Sequence, residues 1–317
     1  MNSLSADMTM NMTPDELRSR LGHVGIWMPP PAWIGADPAA TAAAIERAGF
    51  TSVWIGGGNA TADAFELLRP LLTETERLIV ATGIANIWAW QPARLREDAV
   101  ALARDFPGRF ILGLGVSHEP LVTSLGHIYE RPLEKMEKFL DELDHPAQHR
   151  PEHGEQGELP PVVLAALGPR MLTLAAEQTL GAHPYFTPPE HTAFARSVLG
   201  QSPLLMPEQA LTLAADPAAG RVAARAYAER YLRMPNYTRN LERFGFGPGD
   251  LADGGSDRLI DAIIPSGAST AAERVRAHLD AGADHVVLQP LDESGAFGPG
   301  HVEPLAQAVA EFMKPRP

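Results

Sequence analysis

The sequence predicts an α/β protein folded as one (β/α)8 TIM barrel, and three observations predict it. Short apolar runs alternate with amphipathic stretches along nearly the whole chain. The runs are continuously apolar rather than alternating apolar and polar, as in strands covered on both faces of a parallel sheet. Eight strand–helix units fit into the 317 residues, the number that closes a barrel. An open doubly wound sheet is the competing architecture. The turn after the first strand (residues 28–31, MPPP) carries no glycine-rich dinucleotide fingerprint, which counts against it.

The elements follow in order. Residues 1–21 read as a loose N-terminal arm whose end, from Pro14 to Leu21, is a short helix; residues 22–317 read as a single barrel domain. Strands are expected at 24–27, 51–55 (TSVWI), 78–82 (LIVAT), 110–114 (FILGL), 162–166, 182–185, near 211–214 and at 285–288 (HVVL). Helices are expected at 38–48, 62–75, 93–106, 131–143, 169–178, 189–199, 271–281 and 302–312. In the helix at 93–106, Leu95, Ala99, Leu102, Ala103 and Phe106 share a face. Residues 144–161 are polar and read as an exposed excursion; residues 220–264 read as a mostly helical insertion between strands seven and eight.

Composition narrows the function. A formal net charge of -13 argues against nucleic acid or an anionic membrane as partner. The chain has no Cys, which removes disulfides, thiolate metal sites and Cys nucleophiles and is compatible with a reducing cytoplasm, the expected location. No apolar run is long enough to span a membrane. Eleven His are present, but none in a metal-binding spacing, so no metal is expected.

In a barrel, chemistry sits at the C-terminal strand ends. These are WIGGGN (54–59), ATGIAN (81–86), GLGVSHE (113–119), AALGPRM (165–171) and AHPY (182–185). The stretch ATGIAN, an Arg-bearing helix and FPGRFILGLG, followed by VLAALGPRMLTLAAE, GAHPYFTPPEHT and AGADHVVLQ, resembles the luciferase-like family of flavin- and coenzyme F-420-dependent oxidoreductases. The order and spacing of these motifs, from about residue 22 onward, are the specific part.

The resemblance implies a luciferase-like barrel binding coenzyme F-420, with FMN as the alternative cofactor, and a homodimer paired through helices beside the first strands. The contact expected here lies near Trp88, Trp90 and residues 93–104. It implies a bulge with a non-prolyl cis peptide at Gly83–Ile84, Ile84 backing the cofactor ring and Asn86 holding the distorted backbone. Gly115, Val116 and Ser117 would touch the ring and its side chain; Ala166, Gly168, Pro169 and Arg170 would hold that side chain or its phosphate at a helix start. His183 and His118 are the candidate catalytic residues: His183 faces the barrel mouth or is a hydrogen-bonded core His, and His118 is catalytic or an exposed loop residue.

One departure stands out. Alcohol-oxidising relatives carry an Asp-His pair where Gly57 and Gly58 stand here, so that base is absent. His183, His118 or Glu119 would then move the proton, or the enzyme reduces an activated double bond or carbonyl. Trp27, Trp33, Trp88 and Trp90 are expected to wall the pocket of a small organic substrate. An FMN-dependent monooxygenase and a cofactor-binding protein without catalysis remain as alternatives.

Overall fold

The computed structural model describes residues 12–28, 37–56, 63–144, 157–291 and 299–313. The chain opens on α1 (Pro14–Leu21), where the sequence offers Thr13 as N-cap, Pro14 at the first position and Glu16 closing a capping box. It is not part of a loose arm. Leu17 and Leu21, one turn apart, are fully buried against the barrel interior, so α1 seals the N-terminal end of the barrel. Arg18 donates to Asp284 Oδ1 at 2.7 Å, and Arg196 donates to Asp284 Oδ2 at 2.6 Å, fastening the plug.

The strand–helix alternation then runs β1 (Val24–Met28), α2 (Pro38–Arg47), β2 (Ser52–Gly56), α3 (Asp63–Thr73), β3 (Ile79–Asn86), α4 (Pro92–Asp105), β4 (Phe110–Gly115), α5 (Glu119–Ser124), α6 (Pro132–Asp144), β5 (Val162–Leu164), α7 (Pro169–Gln178), β6 (Gly181–Ala182) and α8 (Pro189–Leu199). After β7 (Leu204–Leu205) and β8 (Glu208–Thr212) come α9 (Pro217–Leu232), α10 (Pro235–Arg243), α11 (Pro248–Leu251) and α12 (Asp257–Ile263). The chain ends on α13 (Ala268–Asp280), β9 (Val286–Leu291) and α14 (Val302–Ala308). Of these, α5 was not expected.

All strand pairs are parallel, in the order β7-β6-β5-β4-β3-β2-β1-β9-β8. The two ends of that order are one stretch of chain. β7 pairs with β6 and, two residues later, β8 pairs with β9, so residues 204–212 form the seventh barrel strand and close the ring. The strand expected near 211–214 therefore begins earlier. Pro207 sits where the strand changes partner; it keeps its carbonyl, which accepts from Val287 N at 2.9 Å, and it has no N–H to strand.

Side chains alternate across this wall. Trp27, Trp54, Ile79, Ala81, Ile111, Val163, Leu204, Met206 and Val287 fill the interior with Leu17 and Leu21. The opposite faces, such as Ile26, Val53, Val80 and Leu112, pack under the helices. The insertion, α9 to α12, buries its own cluster over the ends of β8 and β9. No helix among the described residues is long and apolar enough to cross a membrane.

Candidate active site

The C-terminal half of β3 slips by one residue against both neighbours. Ile55 pairs with Thr82 but Gly56 pairs with Ile84, and Ala81 pairs with Ile111 but Ala85 with Leu114. One extra residue is therefore held in β3, which defines a bulge. Gly83 is required there: a Cβ on it would lie 2.8 Å from the Ile55 carbonyl carbon.

The expected cis peptide at Gly83–Ile84 is not found; among the described residues every peptide bond is trans. The register slip absorbs the extra residue, and a side chain replaces the lost ladder. The buried Thr82 hydroxyl accepts from Gly113 N at 2.7 Å and donates to Gly113 O at 2.9 Å. Asn86 does not hold the bulge, as expected from sequence; its Oδ1 accepts from Trp88 N at 3.1 Å and shapes the turn beyond the strand. Its Nδ2 is buried without a partner.

The structure brings the β3 and β4 candidates together. Asn86 pairs with Gly115, and a Cβ on Gly115 would meet Ile84 Cδ1 at 2.2 Å, so the half-buried Ile84 lies over the Gly115 backbone. Trp88 Nε1 donates to Val116 O at 2.9 Å, and Ser117 adopts a left-handed conformation (φ 56). This strain marks a shaped loop rather than a plain turn. Ala165 N donates to Leu114 O at 2.8 Å, which sets the β5–α7 turn beside that loop. Gly168 caps α7 without a side-chain hydrogen bond, Pro169 is its first residue, and Arg170 is exposed there. Arg243 of α10 reaches toward the same turn, 3.8 Å from where a Gly168 Cβ would stand. Ala166 faces the other way, into the core beneath the helices; its side chain is no part of the mouth.

The two candidate histidines are separated. His183 lies inside the barrel at 1% exposure, stacked on Trp54 with ring centroids 4.5 Å apart, its Nδ1 against Met206 O at 2.6 Å. Burial pulls its pKa down to about 4, so it is neutral. It is a core residue rather than a group at the mouth: Tyr185, two residues on, lies tilted against Trp27 with ring centroids 5.0 Å apart. His118 is half-buried, with its ring 5.3 Å from Tyr237 and a hydrogen bond to the Asn236 side chain; burial lowers its pKa. It ties the β4 loop to α10. Trp90 packs on Phe65 in the outer core, while Trp33, Gly57 and Gly58 lie outside the described residues.

Sequence reasoning missed the residues that crowd the mouth. Tyr227 and Tyr231, one turn apart on α9, meet Tyr185 in a ring of phenols. Tyr231 lies 3.0 Å from each of the other two hydroxyls, and Tyr185 and Tyr227 also contact each other. Gln289 accepts from Tyr185 at 2.9 Å, and exposed Arg230 donates to Tyr231 at 2.9 Å from outside.

Beside them stands Glu208, 1% exposed, on the strand placed too late from sequence. Its Oε2 accepts from Phe186 N at 3.0 Å; its Oε1 has no partner. Burial lifts its pKa to about 8, only partly offset by the Phe186 N–H. Phe186 itself is left-handed (φ 58) and stacks on Tyr231 at 4.9 Å. A carboxyl inside the apolar run LLMPEQALTL and the i, i+4 tyrosines were the available signals.

The sequence profile of the family described as luciferase-like monooxygenase matches residues 32–246. The chain belongs to that family. The parallel barrel is the fold that the similar solved structures share. The luciferase-like chain is 25% identical over 146 residues to a 5,10-methylenetetrahydromethanopterin reductase from Archaeoglobus fulgidus, a match covering 42% of this chain and 44% of that one, so it spans less than half of that relative. Its fold superposes on an F-420-dependent secondary alcohol dehydrogenase solved with an F-420–acetone adduct (TM-score 0.69, 14% identity, 91% of this chain and 99% of the other). It superposes also on the oxygenating constituent of 3,6-diketocamphane monooxygenase from Pseudomonas putida, solved with FMN (TM-score 0.66, 14% identity, 93% and 97%).

Proposed function

We propose that this luciferase-like barrel transfers hydride between coenzyme F-420 and a small organic substrate. The observation that carries the proposal is the composition of one barrel mouth. An apolar platform, Ile84 over the Gly115 backbone, lies beside the uncapped start of α7, flanked by Arg170 and Arg243. The residues fit the group. Ile84 would back the ring. The Asn86 Nδ2 and Trp27 Nε1 donors, both buried without partners, match the carbonyl-bearing edge of a deazaflavin. The free N–H groups of α7 and the two arginines suit its phosphate-bearing side chain.

Bound there, the cofactor supplies the hydride; the protein's part is to orient the two reactants and exclude water. The named F-420-dependent dehydrogenase supports the F-420 reading, and the FMN-bearing monooxygenase keeps FMN as its alternative. The protein is taken to act as a homodimer in the cytoplasm. Its contact region is α4 without Trp90, which is buried within the protomer.

Fluorescence-quenching titration of the purified protein tests the cofactor. F-420 is expected to bind at least about tenfold more tightly than FMN, a difference of roughly 1.4 kcal/mol. Tighter FMN binding would instead make the FMN-dependent monooxygenase the better description. Binding to neither would remove the oxidoreductase reading.

A further inference from the structure

We propose that Glu208 is the catalytic acid of this barrel, donating from Oε1 to an activated double bond or carbonyl as the substrate is reduced. The inference rests on the oxidoreductase reading above and adds a direction and a substrate class to it.

Glu208 lies in the uppermost interior layer: its N–H bonds Pro184 O at 2.8 Å and its Oε2 takes the Phe186 N–H, so it stands level with Tyr185. The groups facing it are phenols, Tyr185 from the end of β6, Tyr227 and Tyr231 from α9, and Tyr237 from α10. The cation near this set among the described residues, Arg230, contacts Tyr231 and Tyr227 from the solvent side. No cation offsets the burial of the carboxyl itself. A carboxylate with one hydrogen bond in such a place is expensive, and protonation is the cheaper state. The proton then sits on Oε1, which has no acceptor among the described residues. An acid loaded at neutral pH is in the state that donates, which suits catalysis of a reduction.

Of the rival candidates, His118 is held by Asn236 and Tyr237, and His183, whose Nε2 has no partner among the described residues, is neutral and stacked on Trp54 in the barrel interior. A reduced deazaflavin held at Ile84 and the start of α7 would supply hydride, with its two electrons, to the substrate carbon and would itself be oxidised. The Glu208 Oε1–H bond breaks and its proton goes to the atom that gains negative charge. Glu208 is left as a carboxylate and is reprotonated from solvent between turnovers.

The test uses the full chain, F-420 and cyclohexenone as the probe acceptor. Wild type should oxidise reduced F-420 with cyclohexenone. Glu208→Gln, which mimics the neutral side chain, should lower kcat by about 100-fold or more, leave the F-420 Kd within about twofold and lose the basic limb of the pH profile. Glu208→Asp should recover part of the rate. Without cofactor, infrared spectroscopy should show a protonated-carboxyl C=O stretch at neutral pH that is missing in Glu208→Gln. Unchanged kcat in Glu208→Gln, an equal loss of F-420 binding, or no such stretch would overturn the acid role, as would wild type that binds F-420 but does not reduce cyclohexenone. Wild type that binds neither F-420 nor FMN would overturn the cofactor reading and the acid role together.

Discussion

Thr82→Val probes the bulge directly. The substitution keeps the shape of a side chain that is 3% exposed and removes only its hydroxyl. Two hydrogen bonds disappear, at 2.7 and 2.9 Å, and both are to the backbone of Gly113 inside the sheet. Water cannot replace them, so Gly113 N–H and C=O are each left unpaired at a cost of about 1–3 kcal/mol. The added methyl returns about 1 kcal/mol of apolar burial. The net loss is roughly 1–5 kcal/mol, a large share of the usual total.

Urea unfolding should show it as a lower midpoint at constant slope. Because the bulge sets Ile84, F-420 affinity should fall at least about tenfold, while Thr82→Ser keeps affinity and most of the stability. A stability change below about 0.5 kcal/mol in Thr82→Val would refute the claim that this hydroxyl carries the bulge.

Other outcomes follow from the same geometry. Glu208 holds its proton more firmly folded (about 8) than unfolded (4.5), so its stabilising contribution is full below about pH 4.5 and is lost as pH rises through about 8. Glu208→Gln should flatten the fall of Tm over that window; an unchanged profile would contradict the buried acid. His183 and His191, pulled to about 4, and His278, pulled to about 3, act in the opposite sense: their contribution is present above about pH 6.5 and is lost on acidification, which Tm measured from pH 7 to 4 should record. Asp284→Ala removes the carboxylate shared by two largely buried guanidiniums, leaving Arg18 the exposed Asp15 and Arg196 backbone carbonyls, and should cost about 3 kcal/mol or more in urea unfolding. Ile84→Asp should weaken F-420 binding at least about tenfold with an unchanged circular dichroism spectrum. Light scattering should return twice the chain mass; a monomer would dismiss the contact at α4.

Much of the fold was legible because burial writes itself into a parallel barrel strand as an unbroken apolar run. LIVAT, FILGL and HVVL announced β3, β4 and β9, and Pro14 with Glu16 announced α1. The seventh strand was misplaced because Pro207 and Glu208 interrupt its run, and a strand that changes partner at a proline has no local signature. The site was half legible. Gly83, Ile84, Asn86, Gly115, Val116, Ser117, Gly168, Pro169 and Arg170 do assemble at one mouth, since strand ends meet there in any such barrel. Exposure is not a local property: of the two readings the sequence leaves open for His183, the mouth or a hydrogen-bonded core, its burial against Trp54 of β2 favours the core.

By itself, then, the sequence determined which segments become wall, helix and turn, because backbone propensity and apolar periodicity act over a few residues. It also determined that one extra residue, Gly83, must be lodged where LIVAT ends. Only the tertiary structure decided how that residue is held, by a hydroxyl reaching across to Gly113. Only closure of the ring decided the state of the mouth. It drives Glu208 into a site ringed by phenols from β6, α9 and α10, segments up to 52 positions apart between Tyr185 and Tyr237, and removes the water that would keep a carboxyl ionised.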